Sequence, residues 1–230
     1  MDVGQKKSSA TPAGFLSAGI APQSYPAVPG RRERRAAETR LRLFRCALQL
    51  FAERGYSNVT VEDITEAADV GKGTFFNYFE TKDHVLGVMA EIQLGKVRQA
   101  VQDAAVGKDS IRTVLHRMVI ELAKEPGRSP GLARTMISSF LASDGVRKII
   151  GRNMQDGRKM LAGVIAAGQR SGEIDPHLKS HKIAAQFQQS VMGTMLFWSL
   201  HEAPALKTCI EDTFQLLWRS IAANGEKQES

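Results

Sequence analysis

Leu43 opens a helical rhythm. Phe44 stands beside it, and Ala47, Leu50 and Phe51 follow at the three, four and seven spacings of one helix face. The pattern predicts a helix from about Arg35 to Arg54. Gly55 stands where a left-handed C-terminal residue is expected, and a Schellman ending would set Tyr56 against Phe51. Thr60 then offers an N-cap, Asp63 closes a capping box, and Val59 can staple onto Ile64. These signals start a short second helix, Val61 to about Ala68, with a third beginning near Gly71. Beyond it, Val85, Val88, Met89, Ile92, Val97 and Val101 run along a helix from Thr81 to about Ala105. Further helices are expected from Ser110 to Glu125, Gly131 to Ser143, Val146 to Ser171, Lys179 to Leu200 and Leu206 to Asn224, with Pro and Gly at the breaks. No strand pattern appears, so the fold class is all-α.

The second and third helices, only a few residues apart, have the arrangement of a helix-turn-helix. At 100° per residue Lys72, Gly73, Phe76 and Asn77 share one face of the third helix, while Phe75 and Phe79 turn to the core. That outward face is poorly suited to water alone. Gly costs a helix about 1 kcal/mol relative to Ala, and Phe76 leaves a ring uncovered. Close approach of DNA accounts for both, since Gly admits a phosphate or base edge and the ring can pack on a sugar or a thymine methyl.

Thr60-Val61-Glu62-Asp63-Ile64, Ala68 to Phe79 and Thr81-Lys82 resemble the signature of the TetR family, over roughly Arg35 to Leu86. The resemblance implies a three-helix DNA-binding domain followed by a helical ligand-binding and dimerisation domain. It assigns Thr60 to a phosphate, Lys72, Gly73, Thr74, Phe76, Asn77 and Tyr78 to the major groove and its phosphates, and Lys82 to a phosphate at the start of the fourth helix. The free amides of Thr81 to His84 and the helix dipole favour an anion there independently. Two positions depart from the family pattern: Gly71 stands where a Ser often caps the recognition helix, and Phe76 where a Tyr often donates to phosphate. Repression relieved by a small molecule is the family's usual mode, and the operator is expected to be an inverted repeat read by a homodimer.

The chain of 230 residues carries 31 Lys and Arg against 24 Asp and Glu, a net charge of +7, which suits an anionic partner without naming one. The distribution says more. Residues 31–54 hold eight arginines and three acids, whereas 55–84 hold two lysines and six acids. Arg31, Arg32, Arg34 and Arg35 are expected just before the first helix, as an arm for the minor groove or as a solubilising run. Residues 1–30, rich in Pro, Ser, Ala and Gly and lacking the apolar block of a secretory signal, read as a disordered tail. The division expected is therefore tail 1–30, DNA-binding domain 31–84, sensing and dimerisation domain 85–225, tail 226–230. No apolar run nears the roughly 20 residues of a membrane span, and a cytoplasmic location is expected with no membrane partner. Cys46 and Cys209 are too far apart for a CxxC motif.

In the second half, Val191 to Trp198 is apolar nearly all round, and Ile210, Phe214, Leu217, Trp218 and Ile221 stripe the last helix. The resemblance implies that these two helices pair with their copies in a dimer; an internal core is the alternative. Met118, Met136, Phe140, Met160, Phe187 and Met195 are candidates to line an apolar ligand cavity, or simply to fill the core. Arg147, Lys148, Arg152, Arg158 and Lys159 make a run that meets an anionic ligand or lies as a solvated face. Catalytic residues, cofactors and metals are not expected: His177 and His181 have a metal pair's spacing without an HExxH arrangement, and no GxSxG, P-loop or dinucleotide fingerprint occurs. An all-helical enzyme and a ligand-free architectural DNA-binding protein are the competing readings.

Overall fold

The computed structural model describes residues 30–142, 144–201 and 203–223; the expected tails 1–30 and 226–230 lie outside it, apart from Gly30. Among the described residues the helices are α1 (Arg31–Arg54), α2 (Val61–Ala67), α3 (Lys72–Phe76), α4 (Lys82–Val106), α5 (Ile111–Lys124), α6 (Pro130–Ala142), α7 (Asp144–Ser171), α8 (Ser180–His201) and α9 (Leu206–Ile221). The only extended pairing among them is an isolated bridge between Ile174 and Ala222. Glu173 closes the same corner, its carboxylate accepting the N–H groups of Ile111 and Arg112 at 3.0 and 3.2 Å at the start of α5.

One expectation is corrected at the start. The helix begins at Arg31, so Arg31, Arg32, Arg34 and Arg35 belong to α1 and do not form an arm ahead of it. The carboxylate of Glu33 accepts the Gly30 N–H at 2.9 Å, and Ala36 and Ala37 favour helix; apolar periodicity is silent over this exposed turn. Gly55 is corrected in detail: its φ of 80° is positive as expected, but its ψ of 147° is not left-handed helical. The Phe51 and Tyr56 rings still meet edge to face at 5.1 Å. The capping box at Thr60 forms as read, with Asp63 N–H donating to Thr60 Oγ1 at 3.1 Å and Thr60 N–H to Asp63 Oδ2 at 2.7 Å.

Two apolar clusters hold the chain together. The first gathers Leu43, Ala47, Leu50, Phe51, Val59, Ile64, Phe75, Phe79 and the start of α4, and also takes Val146 and Ile150 from α7. The second joins the distal half of α4 to α5, α7, α8 and α9 around Leu115, Ile165, Phe187 and Phe214. Helix α4, with 25 residues, spans about 37 Å at 1.5 Å per residue and takes part in both. A second joint lies at α6. A Cβ built on Gly131 would stand 2.5 Å from the Ala52 carbonyl oxygen, and the buried Thr135 hydroxyl donates to the Phe51 carbonyl at 2.8 Å. Glycine at 131 thus lets α6 rest on the last turn of α1.

Candidate DNA-binding surface and sensory cavity

Helix α3 is only five residues long and is set by its core side. Phe75 and Phe79 are fully buried, with ring centroids 5.5 Å apart. That fixes the opposite face outward: Lys72, Gly73, Phe76 and Asn77 are exposed and Thr74 and Tyr78 half-buried. Phe76 is 48% exposed. Nothing lies within 4 Å of a Cβ built on Gly73. The fold itself therefore gives no reason for glycine at 73.

The charged side chains around α3 are held by exchangeable or by fixed bonds. Lys72 forms an exposed ion pair with Glu62, whose carboxyl this hydrogen bond holds below the usual range. Such a pair is weak enough to exchange for a phosphate. Thr60 is more committed, since its hydroxyl donates to Asp63 Oδ2 at 2.6 Å and this bond lowers the Asp63 pKa. Lys82 is anchored further still. Its ammonium donates to the carbonyls of Tyr56 and Val59, both at 2.9 Å, and sits 4.2 Å from the Tyr56 ring centroid. Burial lowers its pKa. An ammonium has three N–H donors, so two are spent on the turn before α2 and one remains. Thr81 caps α4, accepting the His84 N–H at 3.2 Å.

A cavity of about 170 Å³ lies between α4, α5, α6, α7 and α8. Six of the chain's eight methionines line it: Met89, Met118, Met136, Met154, Met192 and Met195. Of the residues expected there, Met118, Met136, Phe187 and Met195 are on its wall. Met160 packs instead on the second core, and the Phe140 side chain lies outside the described part of α6. Beside Arg158 and Gln188, the wall holds two polar residues with unpartnered buried atoms, which periodicity did not single out. Gln93 donates from Nε2 to the Leu122 carbonyl at 3.4 Å, while its buried Oε1 has no protein partner; the buried Nδ2 of Asn153 has none either. Their signal in the sequence is an interruption: Gln93 stands midway between Met89 and Val97, and Asn153 between Ile150 and Gly157, at core spacings.

The profile of the family described as bacterial regulatory proteins, tetR family, matches residues 43–89, which span the capping box, α3 and the start of α4. That segment carries the amino-terminal signature of the TetR family. Among TetR relatives, the transcriptional regulator TcmR of Streptomyces glaucescens is 46% identical over 63 residues, 27% of this chain and only 28% of TcmR. The repressor DhaR of Mycobacterium sp. (strain GP1) is 28% identical over 152 residues, 64% of this chain and 76% of DhaR. The crystal structure of FadR from Thermus thermophilus in complex with lauroyl-CoA is 25% identical with a TM-score of 0.57, covering 77% of this chain and 92% of that one.

The remaining surface is divided between charge and apolar area. The run Arg147, Lys148, Arg152, Arg158 and Lys159 is exposed on α7, with Arg147 paired to Asp144 and Lys159 to Asp156 at 3.8 Å. Arg158 reaches the cavity rim, where its Nε donates to Gln188 at 2.9 Å. On α8, Val191, Met195 and Trp198 are buried, whereas Leu196, Phe197 and Leu200 stay exposed, as does Leu216 on α9. Among the described residues, no helix is long and apolar enough to cross a membrane.

Proposed function

We propose that this TetR regulator is a cytoplasmic repressor that acts by binding and not by catalysis, as a homodimer on an inverted-repeat operator, and leaves DNA when a small molecule enters the cavity. Residues 31–84 read DNA; 85–225 sense and dimerise. One observation carries the DNA reading: a buried Phe75 and Phe79 fix an outward face on which Phe76 is half-exposed beside the open Gly73. Thr60, Lys72, Gly73, Thr74, Phe76, Asn77, Tyr78 and Lys82 form the DNA surface, with Lys72 exchanging Glu62 for a phosphate and Lys82 offering its third N–H to one. The apolar Phe197, Leu200 and Leu216 support pairing of α8 and α9 with a second copy.

DhaR carries the name of a repressor and FadR was solved with lauroyl-CoA; both support a ligand-relieved repressor. The ligand acts through the two joints between the cores, α4 and the contact of α6 with α1. Met118, Met136, Phe187 and Met195 line the site, and Met136 lies on the same helix as Gly131 and Thr135. Selection of bound fragments from genomic DNA tests the first half: an inverted repeat should emerge, and Lys72→Ala with Asn77→Ala should abolish its capture. Calorimetry tests the second half by linkage, because a ligand that weakens operator binding must bind the DNA complex more weakly by the same factor. Equal affinities with and without operator would remove the release mechanism.

A further inference from the structure

The cavity wall is apolar except at a few points, and those points define what it takes. Gln93 is oriented by its bond to the Leu122 carbonyl, which leaves Oε1 needing a donor. Asn153 leaves Nδ2 needing an acceptor. The two residues stand at nearly the same height. A Cβ on Gly87 would touch Ile149 at 3.5 Å and one on Gly157 would touch Leu94 at 3.4 Å, so α4 and α7 run side by side in the same direction. On that register Asn153 falls beside residues 90 and 91, within about one turn of Gln93.

We propose that Gln93 and Asn153 are a hydroxyl-recognition pair, and that the ligand is a small uncharged molecule, apolar over most of its surface and bearing one hydroxyl. The proposal rests on the reading of the cavity as the sensory site. A hydroxyl is the smallest single group that both donates, to Gln93 Oε1, and accepts, from Asn153 Nδ2. A carboxylate would set negative charge against Gln93 Oε1, and an ammonium would leave Asn153 without an acceptor. A buried amide atom left unpaired costs about 1–3 kcal/mol, so a ligand that meets both gains over an apolar isostere. A cation is disfavoured as well, because the sole charged residue on the described wall is Arg158. Size narrows the class further. An apolar cavity of about 150 Å³ accommodates benzene, and 170 Å³ is of that order. The methionine lining allows the walls to adapt by modest amounts.

The test uses the full-length protein and four probes: p-cresol, its methyl ether, toluene and lauroyl-CoA. In a wholly apolar cavity toluene wins, because the phenol loses its hydration for nothing. Here p-cresol should bind at least tenfold more tightly than toluene by calorimetry, and the methyl ether, which accepts but cannot donate, should fall back to the level of toluene. Gln93→Met and Asn153→Leu keep side-chain volume and should each erase the preference for p-cresol while toluene still binds. Toluene binding as tightly as p-cresol, or a preference that survives both substitutions, would overturn the pair and leave the sensory cavity standing; the first result would also fit water as the usual occupant. Binding of lauroyl-CoA with neither small probe would overturn the pair and keep the sensor. Binding of none of the four would overturn the pair and the sensory reading together.

Discussion

The face of α3 and the cavity among α4 to α8 use the same kinds of residue to opposite ends. On α3 an aromatic ring, a glycine and an amide are turned outward, where the fold leaves them uncovered; in the cavity methionines, a phenylalanine and three amides line the wall, where the fold leaves space. A surface site can be changed without disturbing the core that presents it. A cavity site shares its walls with the core, so each of its residues also bears on stability. The contrast predicts which substitutions separate folding from function.

Phe75 and Phe76 provide the largest contrast, because they are neighbours on opposite sides of that division. Phe75→Ala should destabilise the protein by about 3–5 kcal/mol in urea unfolding. Phe76→Ala should leave stability within about 0.5 kcal/mol and still weaken operator binding. A Phe76→Ala protein that unfolded as readily as Phe75→Ala would erase the distinction.

Gly131→Ala probes the joint between the regions. The added methyl would meet the Ala52 carbonyl at 2.5 Å, and backbone cannot swing aside. Overpacking of this sort costs about 1–3 kcal/mol, to be read as a lowered melting temperature together with altered operator affinity. An unchanged melt and unchanged affinity would show that α6 does not bear on α1.

Asn77 and Lys82 sharpen the surface side. Asn77→Ala should change preference among operator variants, by about 1–3 kcal/mol at the base pair it reads. Lys82→Ala should weaken all sequences alike and reduce the salt slope by about 1. Because Lys82 also satisfies the carbonyls of Tyr56 and Val59, it should in addition destabilise the free protein by about 1–3 kcal/mol. Loss of affinity with a fully native melt would deny it that structural role.

The smallest effect concerns pH. His116 bonds Glu211 at 2.5 Å across α5 and α9, and this bond, with help from Gln215, holds the Glu211 carboxyl below its usual range. A depressed folded pKa stabilises at all pH values above the unfolded one, and the contribution is lost as pH falls through the folded value. Glu211→Gln should therefore flatten acid unfolding slightly, below the ordinary carboxylate range only. Both groups are more than a third exposed, so the change is a small shift of the acid midpoint.

Much of the local geometry around α2 and α3 was legible because its signals are local. Thr60 and Asp63 make a cap within four residues, and alternation of Phe75 and Phe76 between faces follows from helical geometry alone. The boundaries of α4 to α9 fell close to the expected ones because Pro and Gly mark them. The start of α1 was not legible, since an exposed arginine-rich turn has no apolar rhythm to reveal it. The second anchorage of Lys82 was hidden too, for it depends on carbonyls 23 and 26 residues away. Gln93 and Asn153 escaped because a polar residue at a core position reads as noise until three other helices close around it.

The presence of Val146 and Ile150 in the amino-terminal core bears on how such proteins can be recombined. The 43–89 segment that carries the family signature ends before either residue, and so it does not contain all the side chains of that core. A chimera that grafts this segment alone onto a foreign sensor would leave an apolar gap at the seam. The transplantable unit is discontinuous, consisting of residues 31–89 together with the opening two turns of α7, and a graft should regain native cooperativity only when both pieces travel together.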